Sequence, residues 1–173
     1  LMAWYKRVDD YIEPVYNLLR PIPPLAFVTL FIMWFGIGEE SKIALIAYGV
    51  FMITVIPTYH GIRDVPEVYI KAARILGVNK KQLFFKVILP AASPRILAGL
   101  RFSVMAAWGL LIAAEMIGSI AGIGYTIIYS QSIYNTTGVM VGIITLALIG
   151  FIMDTIVKII IGRLTRWMKR GIV

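Results

Sequence analysis

Glu115 is the residue best placed to do electrostatic work. It lies toward the end of an apolar run, Ile96 to Gly118, and a carboxylate inside hydrocarbon lines a polar path or meets a partner. The alternative is a structural carboxylate at the outer interface. Just beyond it, Gly122 and Gly124 permit backbone that a helix cannot use, which at membrane depth survives only when buried or lining a cavity. Ser130, Gln131, Ser132 and Asn135 follow with neutral hydrogen-bonding groups. Such a set suits a lining or a gate for a solute rather than bond-making; an ordinary external loop is the other reading. Reactive chemistry has few candidates. Cysteine is absent, which removes disulfides, thiolate metal sites and cysteine nucleophiles together. His60 is the only histidine, so a His-rich metal site is out. No G-x-x-x-x-G-K-[ST] occurs, so the chain has no P-loop for ATP.

The elements that must position these groups are membrane helices. Of 173 residues, 60% are hydrophobic and 15% charged, too apolar for a soluble globule. The net charge of +8 then reads as basic flanks of membrane helices rather than a nucleic-acid surface. A span needs about 20 apolar residues. The uncharged runs place spans near 24–38, 43–61, 96–118 and 138–161, with Pro57 expected to kink or end the second. Residues 119–137 are left as a loop or short re-entrant segment. The segment 62–95 holds Arg63, Lys71, Arg74, Lys80, Lys81, Lys86 and Arg95 against Asp64 and Glu67, and the tail adds Arg163, Arg166, Lys169 and Arg170. By the positive-inside rule both are cytoplasmic. The fold class expected is an all-α polytopic transmembrane bundle. The chain opens at Leu1 without an initiator Met and is expected to be N-terminally truncated.

The 62–95 loop reads as ordered. Asp64 and Glu67 form a D-x-x-E capping pattern with Pro66 in the first turn. Val68, Tyr69, Ala72, Ile75 and Leu76 recur at helical spacing, and Gly77 is placed as a C-terminal cap. Asn79 can cap a second helix with the apolar face Leu83, Phe84, Val87 and Ile88, stopped by Pro90. This helix–glycine–helix is either a docking element or an amphipathic hairpin lying on the membrane.

The stretch Lys71-Ala72-Ala73-x3-Gly77-x9-Val87-x-Leu89-Pro90 resembles the EAA loop of ABC importer permeases, with Lys71 in place of the usual Glu and Val87 in place of Ile. Arg20 to Ala26, Trp34 to Glu39, Ser41 to Ala44, Ala113 to Met116 and Gly122-Ile123-Gly124-Tyr125 are similar to the nitrate/sulfonate/taurine/bicarbonate branch of that family. The resemblance implies the type I importer permease core, whose members have roughly six spans. It implies an ATPase-coupling role for Lys71, Ala72, Ala73, Gly77, Val87, Leu89 and Pro90. A translocation pathway or gate is expected among Glu115, Gly122, Gly124, Tyr125, Ser130 and Gln131. The implied partners are a cytoplasmic ABC ATPase holding ATP and magnesium, an extracytoplasmic substrate-binding protein, and a second permease, as a homodimer or with a paralogue. No cofactor, metal or nucleic acid is expected on this chain, and no enzymatic activity. The cargo is expected to be a small anion, with a neutral heterocycle as the alternative. A secondary transporter would call for intramembrane ionisable pairs and no docking loop; a membrane enzyme would call for clustered His, Asp, Glu or Cys.

Five further residues have local readings. Arg101 is expected to snorkel to the cytoplasmic interface, and Asp154 to pair with Lys158 four residues on. His60 is expected to be interfacial. Gly138 and Gly142 form a G-x-x-x-G for close helix packing.

Overall fold

The computed structural model describes residues 6–165. Its helices are α1 (Lys6–Leu19), a 3₁₀ turn (Pro24–Phe27), α2 (Val28–Phe35), α3 (Glu39–Arg63), α4 (Glu67–Ile75), the continuous stretch α5 (Lys80–Gly118), α6 (Ile123–Ser132) and α7 (Thr136–Leu164). No strand occurs among the described residues. The all-α expectation is met.

Three helices, α3, α5 and α7, are long and apolar enough to cross a membrane. The stretch expected as a span over 24–38 is different. It opens with the 3₁₀ turn and ends at Phe35, because Gly36 takes φ +78. Eight α-helical residues rise about 12 Å, well short of a hydrocarbon core. Pro24–Phe35 reaches spanning length only together with Asp9–Leu19, as one broken span. Pro57 does not end its helix; α3 continues to Arg63. Its ring instead packs on Gly99, where an added Cβ would come within 2.6 Å of Pro57 Cβ. The segment expected as loop or re-entrant holds the ten-residue helix α6.

The chain divides into two compact units, residues 1–21 with 52–100 and residues 22–51 with 101–173. In the first, Val65, Ala73, Leu83, Ile88 and Ala92 make the core, with Ile62, Ile70, Val78 and Val87 against it. The Tyr16 hydroxyl donates to the Met52 carbonyl at 2.7 Å, and that of Tyr59 to Asp9 Oδ2 at 2.8 Å. In the second, Val28, Leu45 and Ala114 form the core with Phe27, Phe31 and Ile32. Gly142 faces the Ile127 side chain, which brings α6 and α7 close. Elsewhere α7 exposes Met140, Ile143, Ile144, Leu148, Phe151 and Ile152. A helix apolar all round needs hydrocarbon as its solvent.

Candidate functional site

Two groups of expected site residues are brought together, one in each unit. The first is the hairpin of α4 and the start of α5. Helix α4 ends at Leu76, and Gly77 follows at φ +73. The Val78 N–H donates to the Ala73 carbonyl at 3.2 Å and the Gly77 N–H to the Arg74 carbonyl at 3.0 Å. These are the paired bonds of a Schellman ending, which requires a left-handed residue at the Gly77 position. Space is open around Gly77, with nothing within 4 Å of an added Cβ. Glycine is therefore needed for backbone angle, not for room. Asn79 then opens α5 with a reciprocal capping box: its Oδ1 accepts from the Gln82 N–H at 2.9 Å, and Gln82 Oε1 accepts from the Asn79 N–H at 3.2 Å.

Three local expectations for this hairpin are corrected. Asp64 does not cap α4; the cap position is Pro66, with no side-chain bond, and Asp64 pairs with Arg95. Pro90 does not stop the second helix. Residues Leu83–Ile88 form a π turn, and the helix resumes from Leu89 to Gly118. The wider turn accommodates the missing N–H and the ring that would clash in an α register. The face of α4 that packs inward is Ile70 and Ala73. The expected face Val68, Tyr69, Ile75 and Leu76 stays exposed, at 71, 55, 86 and 81%. Ala72 is exposed, and Lys71 pairs with Glu67 at 2.7 Å on the surface. Val87, Leu89 and Pro90 are half-buried.

The second group surrounds the start of α6. Glu115 Oε2 accepts from the Gly124 N–H at 2.8 Å. The carboxylate thus caps a helix whose N-cap residue, Gly122, offers no side chain. Gly122 has φ +116, and a Cβ there would collide with the Glu115 carboxylate. A Cβ on Gly124 would lie 2.6 Å from the Ile112 carbonyl oxygen. Both glycines are there for close approach. Tyr125 stacks on Tyr129, ring centroids 6.1 Å apart. Ser130 and Gln131 do not join this cluster. They sit about 9 Å further along α6, Ser130 buried against Gly138 of α7 and Gln131 exposed.

Sequence reasoning missed two features. Asp154 does not pair with Lys158. Arg101 donates to it from Nε and Nη2, at 2.7–2.9 Å, and Lys158 is exposed. Arg101 therefore does not snorkel away unpaired. The pair joins residues 53 apart, and no local spacing carries that signal. The second is Lys42, whose side chain is only 8% exposed and pairs with Glu39 at 2.7 Å. A lysine in a first helical turn ordinarily points to solvent.

Residues 1–166 match the family described as the inner membrane component of binding-protein-dependent transport systems. The putative aliphatic sulfonates transport permease protein SsuC of Bacillus subtilis (strain 168) is 42% identical over 96% of this chain and 60% of its own length. The taurine transport system permease protein TauC of Escherichia coli (strain K12) is 38% identical over 92% of this chain and 58% of its own. The bicarbonate transport system permease protein CmpB of Synechococcus elongatus is 30% identical over 99% and 60%. The chain spans about three fifths of the length of these relatives, which are named as permeases rather than enzymes. With its apolar helices and a family match over nearly the whole sequence, the chain belongs to the inner membrane components of binding-protein-dependent transport systems.

Proposed function

We propose that this chain is the membrane part of an ATP-driven importer for a small anion such as a sulfonate, taurine, nitrate or bicarbonate. A separate cytoplasmic ATPase, holding ATP and magnesium, docks on residues 64–90, and an extracytoplasmic binding protein delivers the cargo. In this reading residues 62–95 and the C-terminus face the cytoplasm, as their basic charge requires. Crossings run through α3, α5 and α7, with the 24–38 region as part of a broken fourth.

The observation that carries the reading is the outward face of the hairpin. The element buries Ile70, Ala73, Leu83 and Ile88 inward, holds its turn with a Schellman ending and a capping box, and still leaves Val68, Tyr69, Ile75 and Leu76 outside. A rigid hairpin with an apolar outer face is built to enter a partner's groove. Lys71 replaces the family's Glu and is tied to Glu67, so contact with the ATPase rests on apolar residues and Ala72 rather than on an acidic side chain.

The test is Gly77→Val in the assembled transporter. Valine at φ +73 costs about 1–2 kcal/mol and distorts the turn. Membrane insertion should be unchanged, while cargo-stimulated ATP hydrolysis and uptake fall together. Normal stimulation and uptake in that variant would refute docking through this loop.

A further inference from the structure

Lys42 stands in the first turn of α3, where the helix dipole disfavours a cation. Together with Val28, Ile32, Ser41, Leu45, Ala114 and Gly118 it lines a small cavity. That cavity is about 10 Å³, room for one water. Burying a charge in such surroundings is costly unless it is paired. Among the described residues its one ion-pair partner is Glu39, and the two ends of that pair are unlike. The Lys42 side chain is 8% exposed and that of Glu39 is 78% exposed. The acid reaches in from solvent to a fixed base. Exposed carboxylates gain little from such contacts, so Glu39 can leave at small cost, whereas the buried Lys42 ammonium needs an acceptor in its place.

We infer that Lys42 is a specificity-determining residue of the transport route, its buried ammonium taking the oxyanion head of the cargo in exchange for the Glu39 carboxylate. The inference rests on the anion reading above and adds to it a residue and a mode of selection. A neutral solute has nothing to offer in exchange for Glu39, and a cation is repelled. Ser41, buried beside it, donates to the Gly38 carbonyl at 3.0 Å and secures the turn from which Lys42 projects.

The experiment is uptake by the complete transporter, permease with its ATPase and binding protein, reconstituted in lipid vesicles. Ethanesulfonate, nitrate, bicarbonate and a neutral hydroxymethylpyrimidine are the probes. For the anion that wild type carries, Lys42→Met should raise KM about tenfold or more, and Lys42→Arg should keep most of the uptake. Glu39→Gln removes the competing charge while keeping a carbonyl acceptor for the Lys42 ammonium, and should leave uptake at the wild-type level or above. Lys42→Met with a KM within about twofold of wild type would overturn the inference while leaving the anion reading intact. A loss in Glu39→Gln as deep as that in Lys42→Met would make the pair structural and overturn it as well; this arm decides even where Lys42→Met does not assemble. Wild type that carries only the pyrimidine would end the anion reading, and this inference with it.

Discussion

Arg101 and Asp154 show how a single pair is chosen between two helices of membrane-spanning length. Asp154 has a lysine one helical turn away, yet the structure gives it the guanidinium of another helix. Arginine offers a planar fork that meets both carboxylate oxygens, and it sheds hydration more readily than an ammonium. The two side chains are 40% and 32% exposed, so the contact is half-buried at most. In a lipid setting that exposure is not equivalent to water, and removing one partner leaves a charge with poor solvation. Arg101→Met is expected to lower the stability of the detergent-solubilised protein by about 2 kcal/mol. The reversed pair, Arg101→Asp with Asp154→Arg, should recover most of it. Thermal unfolding of the three proteins checks this; equal melting of Arg101→Met and wild type would show the pair to be dispensable. Residue identities alone indicated a partner for Asp154, expected in Lys158, and an Arg101 that snorkels to the interface. That Arg101 and Asp154 meet depends on the approach of α5 to α7, which is not written in any local spacing.

Helix starts and stops were the more legible scale. Gly77 and Asn79 announce a turn and a cap through side-chain chemistry that acts within a few residues, and both occur as their types require. Pro90 misled because a proline's effect depends on the register it meets. In an α register it would break the helix, while the π turn before it lets α5 run on. Helix α6 was legible only as flexible, glycine-rich sequence, since its cap comes from Glu115, nine residues upstream of its donor. Glu115 thus acts at the scale of the element, holding the start of α6 through one hydrogen bond to Gly124. Glu115→Gln keeps an acceptor in place and should change stability little. Glu115→Ala leaves the first turn of α6 uncapped and should cost about 1 kcal/mol, with uptake falling if this turn forms part of the gate. Hydrogen exchange at the amides of residues 123–126 separates the outcomes. Protection in Glu115→Ala as strong as in wild type would exclude the capping role.

At the scale of the whole molecule the question is what completes the route. A polar path through hydrocarbon must be walled on every side. Here the groups that could line it, Glu115 and the turn at Gly122 to Gly124 among them, belong to one short helix and its neighbours in a single unit. We propose that a second copy related by a two-fold axis would supply the opposite wall with the same residues, isologous pairs being the commonest assemblies. The G-x-x-x-G of α7 is not the seam. Gly138 meets Ser130 and Gly142 meets Ile127, both of α6 in the same chain, so that motif is already used. The exposed apolar faces, such as that of α7 around Ile144, Leu148 and Phe151, would then be left for lipid and for the proposed second copy. Native mass spectrometry of the detergent-solubilised transporter is expected to find two identical permease chains for each complex. Gly142→Leu should destabilise the single chain by about 1–3 kcal/mol through overpacking against Ile127, leaving the copy number of surviving complexes at two. One permease per complex, or an obligatory second permease of different sequence, would refute the homodimer. A drop to one copy in Gly142→Leu would put the seam on the motif after all.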